Sequence, residues 1–266
     1  MSRLQGLLFA LATVVLVAVS TYYFTRPWLP PLMSDRGRID GSIWWSLLVT
    51  GIVFIITNLA LAWLSWRYQE VPGAPRASHW HDDTRLEWSW TLATAAIMFV
   101  FMFHALGLWA DINKEAPADA MTIEVTGQQF AWNVRYPGPD GMFGKTDHKL
   151  ASVENPLGVD ASDPAAKDDL RMLNNLVLVK DRPVRIQLRS VDVLHSFFLP
   201  NFRVKQDAVP GMTITIWFTP KELTNPEKVT EIACAEHCGL GHYRMRGFVH
   251  VVSAAEFDGK VAELAQ

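Results

Sequence analysis

Cysteine is nearly absent from the sequence: there are two among 266 residues, and both, Cys234 and Cys238, stand in one short stretch near the C-terminus. A structural zinc site asks for four strong ligands and rarely recruits a methionine, so a stretch with two thiols, a histidine and a methionine does not suit it. Charge of one sign is also scarce in excess, with 24 basic against 27 acidic residues and a formal net charge of −3. No basic patch stands out, which excludes a nucleic-acid footprint. Asymmetry of positive charge between loops is missing as well. Arg26, Arg36 and Arg38 lie between 25 and 43, and Arg67, Arg76 and Arg85 between 67 and 87, so the counts tie and leave membrane topology unfixed.

What is abundant is apolar sequence, at 50% of residues, and it concentrates before residue 111. Three runs, about 4–24, 44–66 and 88–110, each approach the roughly 20 residues that a bilayer-crossing helix needs. Aromatic residues cluster at their ends, among them Tyr22, Tyr23, Trp28, Trp44, Trp66, Trp88 and Trp109, where amphipathic rings favour the membrane interface. The first run also has features of a secretory signal, with Arg3 before the apolar core and Ala18-Val19-Ser20 as a small-residue site. Its extension to Phe24 with an aromatic end favours a retained helix.

After Asp111 the pattern becomes short alternating segments separated by Gly, Pro, Asn and Asp. Residues 121–126, 130–136, 184–189, 213–218 and 247–252 read as strands, and the series predicts a β-sandwich over 111–266. A Gly-, Pro- and Asp-rich stretch at about 137–171 reads as a long ordered insertion that either holds a partner protein or is decorative. Residues 111–266 hold 17 basic and 21 acidic residues, a small acidic bias that would favour a basic partner.

The cysteine stretch runs Cys234-Ala235-Glu236-His237-Cys238-Gly239-Leu240-Gly241-His242-Tyr243-Arg244-Met245. Thiolate, imidazole and thioether together suit copper. Cys238, His242 and Met245 alone would serve a mononuclear blue-copper site and leave Cys234 unexplained. Two thiolates can instead bridge two copper ions, each capped by one imidazole. A Cys234–Cys238 disulfide is the bland reading. An upstream imidazole is available at His195, within Asp192-Val193-Leu194-His195-Ser196-Phe197-Phe198.

These phrases, the second continuing through Asn201-Phe202-Arg203-Val204-Lys205-Gln206-Asp207-Ala208-Val209-Pro210-Gly211, resemble subunit II of the haem-copper cytochrome c oxidases. The run Cys-Ala-Glu-x-Cys-Gly-x-x-His-x-x-Met is that family's dinuclear copper A signature. The resemblance implies a cupredoxin-like form for the sandwich, attached to three transmembrane helices. It implies Cys234 and Cys238 as bridging thiolates, and His195 and His242 as terminal imidazoles. Met245 would be the weak ligand on the copper bound by His195, and Glu236 would offer its carbonyl to the other. The Glu236 carboxylate would point toward subunit I and a shared magnesium site. His237 has no ligand role there and reads as a neighbour.

The implied function is acceptance of electrons from cytochrome c, or from a membrane-bound cytochrome, and their transfer to haem in subunit I, where oxygen is reduced to water. Nothing in this sequence supports haem binding by the chain itself. The implied setting is a bacterial inner membrane with the copper domain in the periplasm. A copper A nitric oxide reductase is the alternative with the same copper pair, and a membrane-anchored mononuclear cupredoxin the alternative without it.

Three further positions follow from the comparison of motifs. Members of the family commonly have two tryptophans separated by one residue, the first being where cytochrome c electrons arrive. Here Phe130 takes the first place and Trp132 the second. Both are otherwise ordinary strand aromatics. Glu87 falls where similar subunits place a carboxylate at the mouth of a proton path, and equally suits the start of a helix, where a negative charge is favourable. His79, His81, Asp82 and Asp83 read as a solvated loop, and His104 as hydrogen-bonded to a neighbouring subunit.

Overall fold

The structure, a computed structural model, describes residues 3–69, 73, 81–152, 154–225 and 227–265. It divides into two units, Met1–Leu29 with Arg38–Ile112, and Pro30–Gly37 with Asn113–Gln266.

The first unit holds α1 (Arg3–Phe24), α2 (Gly37–Arg67) and α3 (Thr84–Asn113), each long and apolar enough to cross a membrane. The helices exceed the apolar runs because polar turns such as Thr84-Arg85-Leu86-Glu87 add to the ends. Their apolar side chains face outward on every side: α3 has no buried residue and α2 only Ala62. Such a surface is stable in lipid and not in water. α1 meets the end of α2 at Gly6, where a Cβ would lie 3.0 Å from Gln69 Oε1 and 3.3 Å from the Ser65 carbonyl oxygen. The missing side chain lets the backbones approach.

Polar groups in these helices find partners within the chain. Arg38 of α2 pairs with Asp111 of α3. One turn along α2, Ser42 Oγ lies 2.8 Å from His104 Nε2. His104 thus has a partner within the chain at Nε2. Asp83 Oδ1 accepts hydrogen bonds from the N–H groups of Arg85, at 2.9 Å, and Leu86, at 3.1 Å, and so caps α3. Glu87 sits in the first turn behind this cap. His79 lies outside the described residues.

The second unit has two five-stranded sheets. One has the order β3-β2-β1-β5-β8, from β1 (Met121–Gln128), β2 (Ala131–Tyr136), β3 (Leu170–Leu173), β5 (Val184–Ser190) and β8 (Ile214–Phe218). The other has the order β4-β10-β9-β6-β7, from β4 (Asn175–Val179), β6 (His195–Leu199), β7 (Val204–Ala208), β9 (Glu231–Cys234) and β10 (Arg246–Val252). β1 runs parallel to β5 and β4 to β10, and the remaining pairs are antiparallel. In β5 the period of two is plain: Val184, Ile186 and Leu188 are buried while Arg185, Gln187 and Arg189 face away from the core. Facing residues of the two sheets, including Ile123, Trp132, Leu176, Ile186, Phe197 and Val251, form one core. A short helix, α4 (Phe257–Leu264), packs beside β4.

Two features tie long excursions to this sandwich. The segment Pro30–Gly37 is stitched to it by Met33 N–H to the Asn201 carbonyl at 2.7 Å, Ser34 Oγ to the Phe202 carbonyl at 2.7 Å, and Lys221 N–H to the Met33 carbonyl at 2.8 Å. The stretch between β2 and β3 is held by Arg135, which is 1% exposed. Its guanidinium donates to Glu124 at 3.0 Å, to Asp169 at 3.0 Å and to the Gly144 carbonyl at 2.8 Å. Asp169 also accepts from the Gly144 N–H at 3.0 Å, so the start and end of the excursion share one buried charge cluster. The predicted insertion is thus an ordered loop with two short 3-10 turns, and its last residues form β3.

Candidate metal centre

Sheet order brings the distant motif residues together. His195 opens β6 and Cys234 closes β9, and these strands pair with Phe197 opposite Cys234. The Ala235 N–H donates to the Ser196 carbonyl at 3.0 Å, extending that pairing into the loop. On the other side β9 pairs with β10, and the Cys234 N–H reaches the Met245 carbonyl at 3.3 Å. The loop between Cys234 and Arg246 is therefore closed at its base and must fold back over the sheet end. A 3-10 turn over His242–Arg244 completes it.

Within this loop the donor atoms converge. One nitrogen of His195 and the sulfurs of Cys234 and Cys238 all lie within 4.8 Å of one another, the one such group among the described residues. Cys234 Sγ is 3.9 Å from Cys238 Sγ, 3.9 Å from His195 Nδ1 and 3.2 Å from the Glu236 carbonyl oxygen. Cys238 Sγ is 3.6 Å from His242 Nδ1 and 3.7 Å from Met245 Sδ. The two cysteines are free, at a separation far beyond the roughly 2.05 Å of a disulfide. His195, Cys238 and Met245 are buried, which removes water as a competing ligand. His237 stacks edge-on against the His242 ring at 5.5 Å, as a neighbour of the centre.

The thiols titrate as a pair, driven apart. Burial raises Cys234, but the His195 imidazole and the main chain at Ser196 and Glu236 outweigh it and bring the thiol down to about 6. At Cys238 burial and then the charge of Cys234 push the thiol up to about 11. One proton leaves easily and the second is retained unless a cation replaces it. The two sulfurs with the surrounding imidazole, thioether and carbonyl donors form a donor set that suits copper.

The His195 ring is fixed from behind. Its Nε2 lies 2.8 Å from Asp192 Oδ1, leaving Nδ1 toward the sulfurs. Burial lowers the basicity of His195, while Cys234 and Asp192 together raise it further and hold it above the ordinary histidine value. Gly127 makes room for the ring, since a Cβ there would sit 2.8 Å from His195 Cδ2. Trp132 is fully buried and meets His195 edge-on at 6.0 Å and Phe197 at 5.3 Å. Phe130 is 37% exposed and overlies Gly241, beside the exposed Leu240 and Tyr243. The motif did not single out Asp192, Gly127 or Gln129. The position of Asp192 three residues before His195 was the available signal.

The family model for "Cytochrome C oxidase subunit II, periplasmic domain" matches residues 121–252. The alternative cytochrome c oxidase subunit 2 of Bradyrhizobium diazoefficiens is 34% identical over 248 residues, covering 93% of this chain and 87% of that one. Cytochrome c oxidase subunit 2 of Cereibacter sphaeroides is 28% identical over 240 residues, covering 86% and 75%. A solved periplasmic domain of subunit II of cytochrome oxidase from Bradyrhizobium japonicum is 29% identical, with a TM-score of 0.40, covering 56% of this chain and 96% of that one. A relative 34% identical over 93% of this chain, together with the family model matching residues 121–252, places this chain in the cytochrome c oxidase subunit II family.

Proposed function

We propose that this chain is the electron-accepting subunit of a respiratory haem-copper oxidase. It takes electrons from a cytochrome at a dinuclear copper centre and passes them to haem in subunit I, where oxygen is reduced to water. The observation that supports this most directly is the convergence of both thiols with His195, while His242 and Met245 close on Cys238. A mononuclear site would leave Cys234 without a task.

In this reading Cys234 and Cys238 would hold the copper as thiolates, His195 and His242 as imidazole ligands, and Met245 and the Glu236 carbonyl would be the weak ligands. When bound, the copper pair supplies a one-electron store with little change of geometry between its oxidation states. The protein's part is to hold donors rigidly in a buried pocket, which keeps reorganisation small. The exposed Phe130 presents a surface to the donor, and buried Trp132 packs behind the His195 ring. The Glu236 carboxylate is proposed to face magnesium shared with subunit I, and Glu87 to serve proton uptake. The chain contributes conduction and anchoring within an oxidoreductase complex and does no gas chemistry itself. Its proposed location is a bacterial inner membrane with the β domain periplasmic.

Metal analysis of the intact complex tests the reading. Two copper ions per chain are expected at this centre, with both lost in a Cys238→Ser variant. One ion per chain, retained when Cys234 is replaced by Ser, would refute it.

A further inference from the structure

The geometry points to Gln129 as a positioning residue of the metal centre: it ties the loop bearing Cys238 to the carboxylate that holds His195, so that both ligand segments are fixed to one turn. This rests on the copper reading above and asks no ligand role of Gln129 itself.

Gln129 and Phe130 form the two-residue turn between β1 and β2, flanked by the paired Gln128 and Ala131. From this turn, bonds run to two different segments. The Gln129 main-chain N–H donates to Asp192 Oδ2 at 2.7 Å, and the other oxygen of Asp192 is the one 2.8 Å from His195 Nε2. The Gln129 side-chain Nε2 donates to the Cys238 carbonyl. One residue thus bridges the approach to β6 and the loop after β9.

The ligand loop is shaped to receive this turn. Gly239 has φ +130°, and a Cβ there would lie 2.8 Å from Gln129 Nε2 and 3.3 Å from Phe130 Cζ. A Cβ at Gly241 would collide with the Phe130 ring. Two glycines on either side of exposed Leu240 therefore open the space in which the turn sits, against the backbone leading from Cys238 to His242. An amide suits the position because the Cys238 carbonyl needs a donor. A glutamate of the same length offers none and faces that carbonyl with negative charge, and a leucine offers nothing polar. As a residue Gln129 is exposed, so replacing it leaves the core intact.

The test uses the full-length chain, wild type against Gln129→Glu and Gln129→Leu, with thermal unfolding of the metal-free forms as the control for folding. Metal-free protein is treated with iodoacetamide, and alkylation at buried Cys238 is followed by mass spectrometry. Copper-loaded protein is challenged with a chelator, and its electron paramagnetic resonance spectrum is taken. The expected result is several-fold faster alkylation of Cys238 in both variants, an altered copper hyperfine pattern, and copper loss on the order of tenfold faster, the usual scale for outer-shell partners of a metal ligand. Unchanged alkylation, spectrum and copper release in both variants would overturn the assignment. If wild-type protein binds fewer than two ions, the copper reading fails, while the alkylation rates still decide whether Gln129 holds the loop.

Discussion

At the scale of single residues the proposed centre depends on side chains outside its donor set. His195 is fully buried, with Asp192 on one ring nitrogen, Cys234 facing the other, Trp132 against its edge and Gly127 beneath it. Close-packed interiors transmit such crowding. Gly127→Ala places a Cβ within 2.8 Å of His195 Cδ2, and the ring must shift or tilt because Asp192 anchors its far side. The expected effect is a fall in copper affinity of roughly 10–100-fold, read by chelator competition, with the sandwich still folded. Affinity equal to wild type would mean that the imidazole is not a ligand in the orientation described. The proposed ligand residues were legible in sequence because they cluster in one phrase and one upstream histidine. Gln129 was not, since its bonds reach Asp192 across 63 positions and Cys238 across 109, which no local pattern displays, and Asp192 offered only its place three residues before His195.

At the scale of elements, alternation identified β1, β2, β5, β8 and β10, where one face is buried and the other polar. It missed β4, whose Leu176 to Val179 are all buried and so show no alternation. It also missed β6, buried at four of its five residues, and β7, a short strand with a Lys-Gln-Asp centre. The anchoring of the β2–β3 excursion was equally hidden, although its cause is a simple cross-strand pair, Glu124 opposite Arg135. Burial raises Asp169, against the Gly144 N–H and then the Arg135 guanidinium, which both favour the charged form. Arg135→Met leaves buried Asp169 with only the Gly144 N–H and buried Glu124 with only Arg189. Loss of one partner from a buried ion network costs roughly 3–5 kcal/mol. Thermal unfolding of the variant should fall accordingly, and protease should cut between 145 and 165 well before the sandwich. A melting curve like that of wild type would show that the acids relax to water, and that the excursion is held by something else.

At the scale of the whole molecule, the chain joins an apolar helical unit to a β domain that carries, among the described residues, one cluster of His, Cys and Cys donors; the proposed function divides anchoring and conduction between them. The helices were legible from length and apolar content alone, because a lipid solvent imposes both. The internal partner of His104 was not, since Ser42 is 62 residues away. The proposed donor surface carries a phenylalanine, Phe130, where the family commonly has tryptophan. If Phe130 is where electrons arrive, Phe130→Ala slows reduction by soluble cytochrome c in stopped-flow measurements by an order of magnitude or more, with copper content unchanged. An unchanged rate would move the donor's contact to another part of the surface.

The measurement that tests the central claim most directly is the electron paramagnetic resonance spectrum of the copper in the intact, fully loaded complex. One unpaired electron shared by two ions bridged through Cys234 and Cys238 predicts a seven-line hyperfine pattern. A four-line pattern from a single ion, at full metal loading, would contradict the account and make this a mononuclear copper protein.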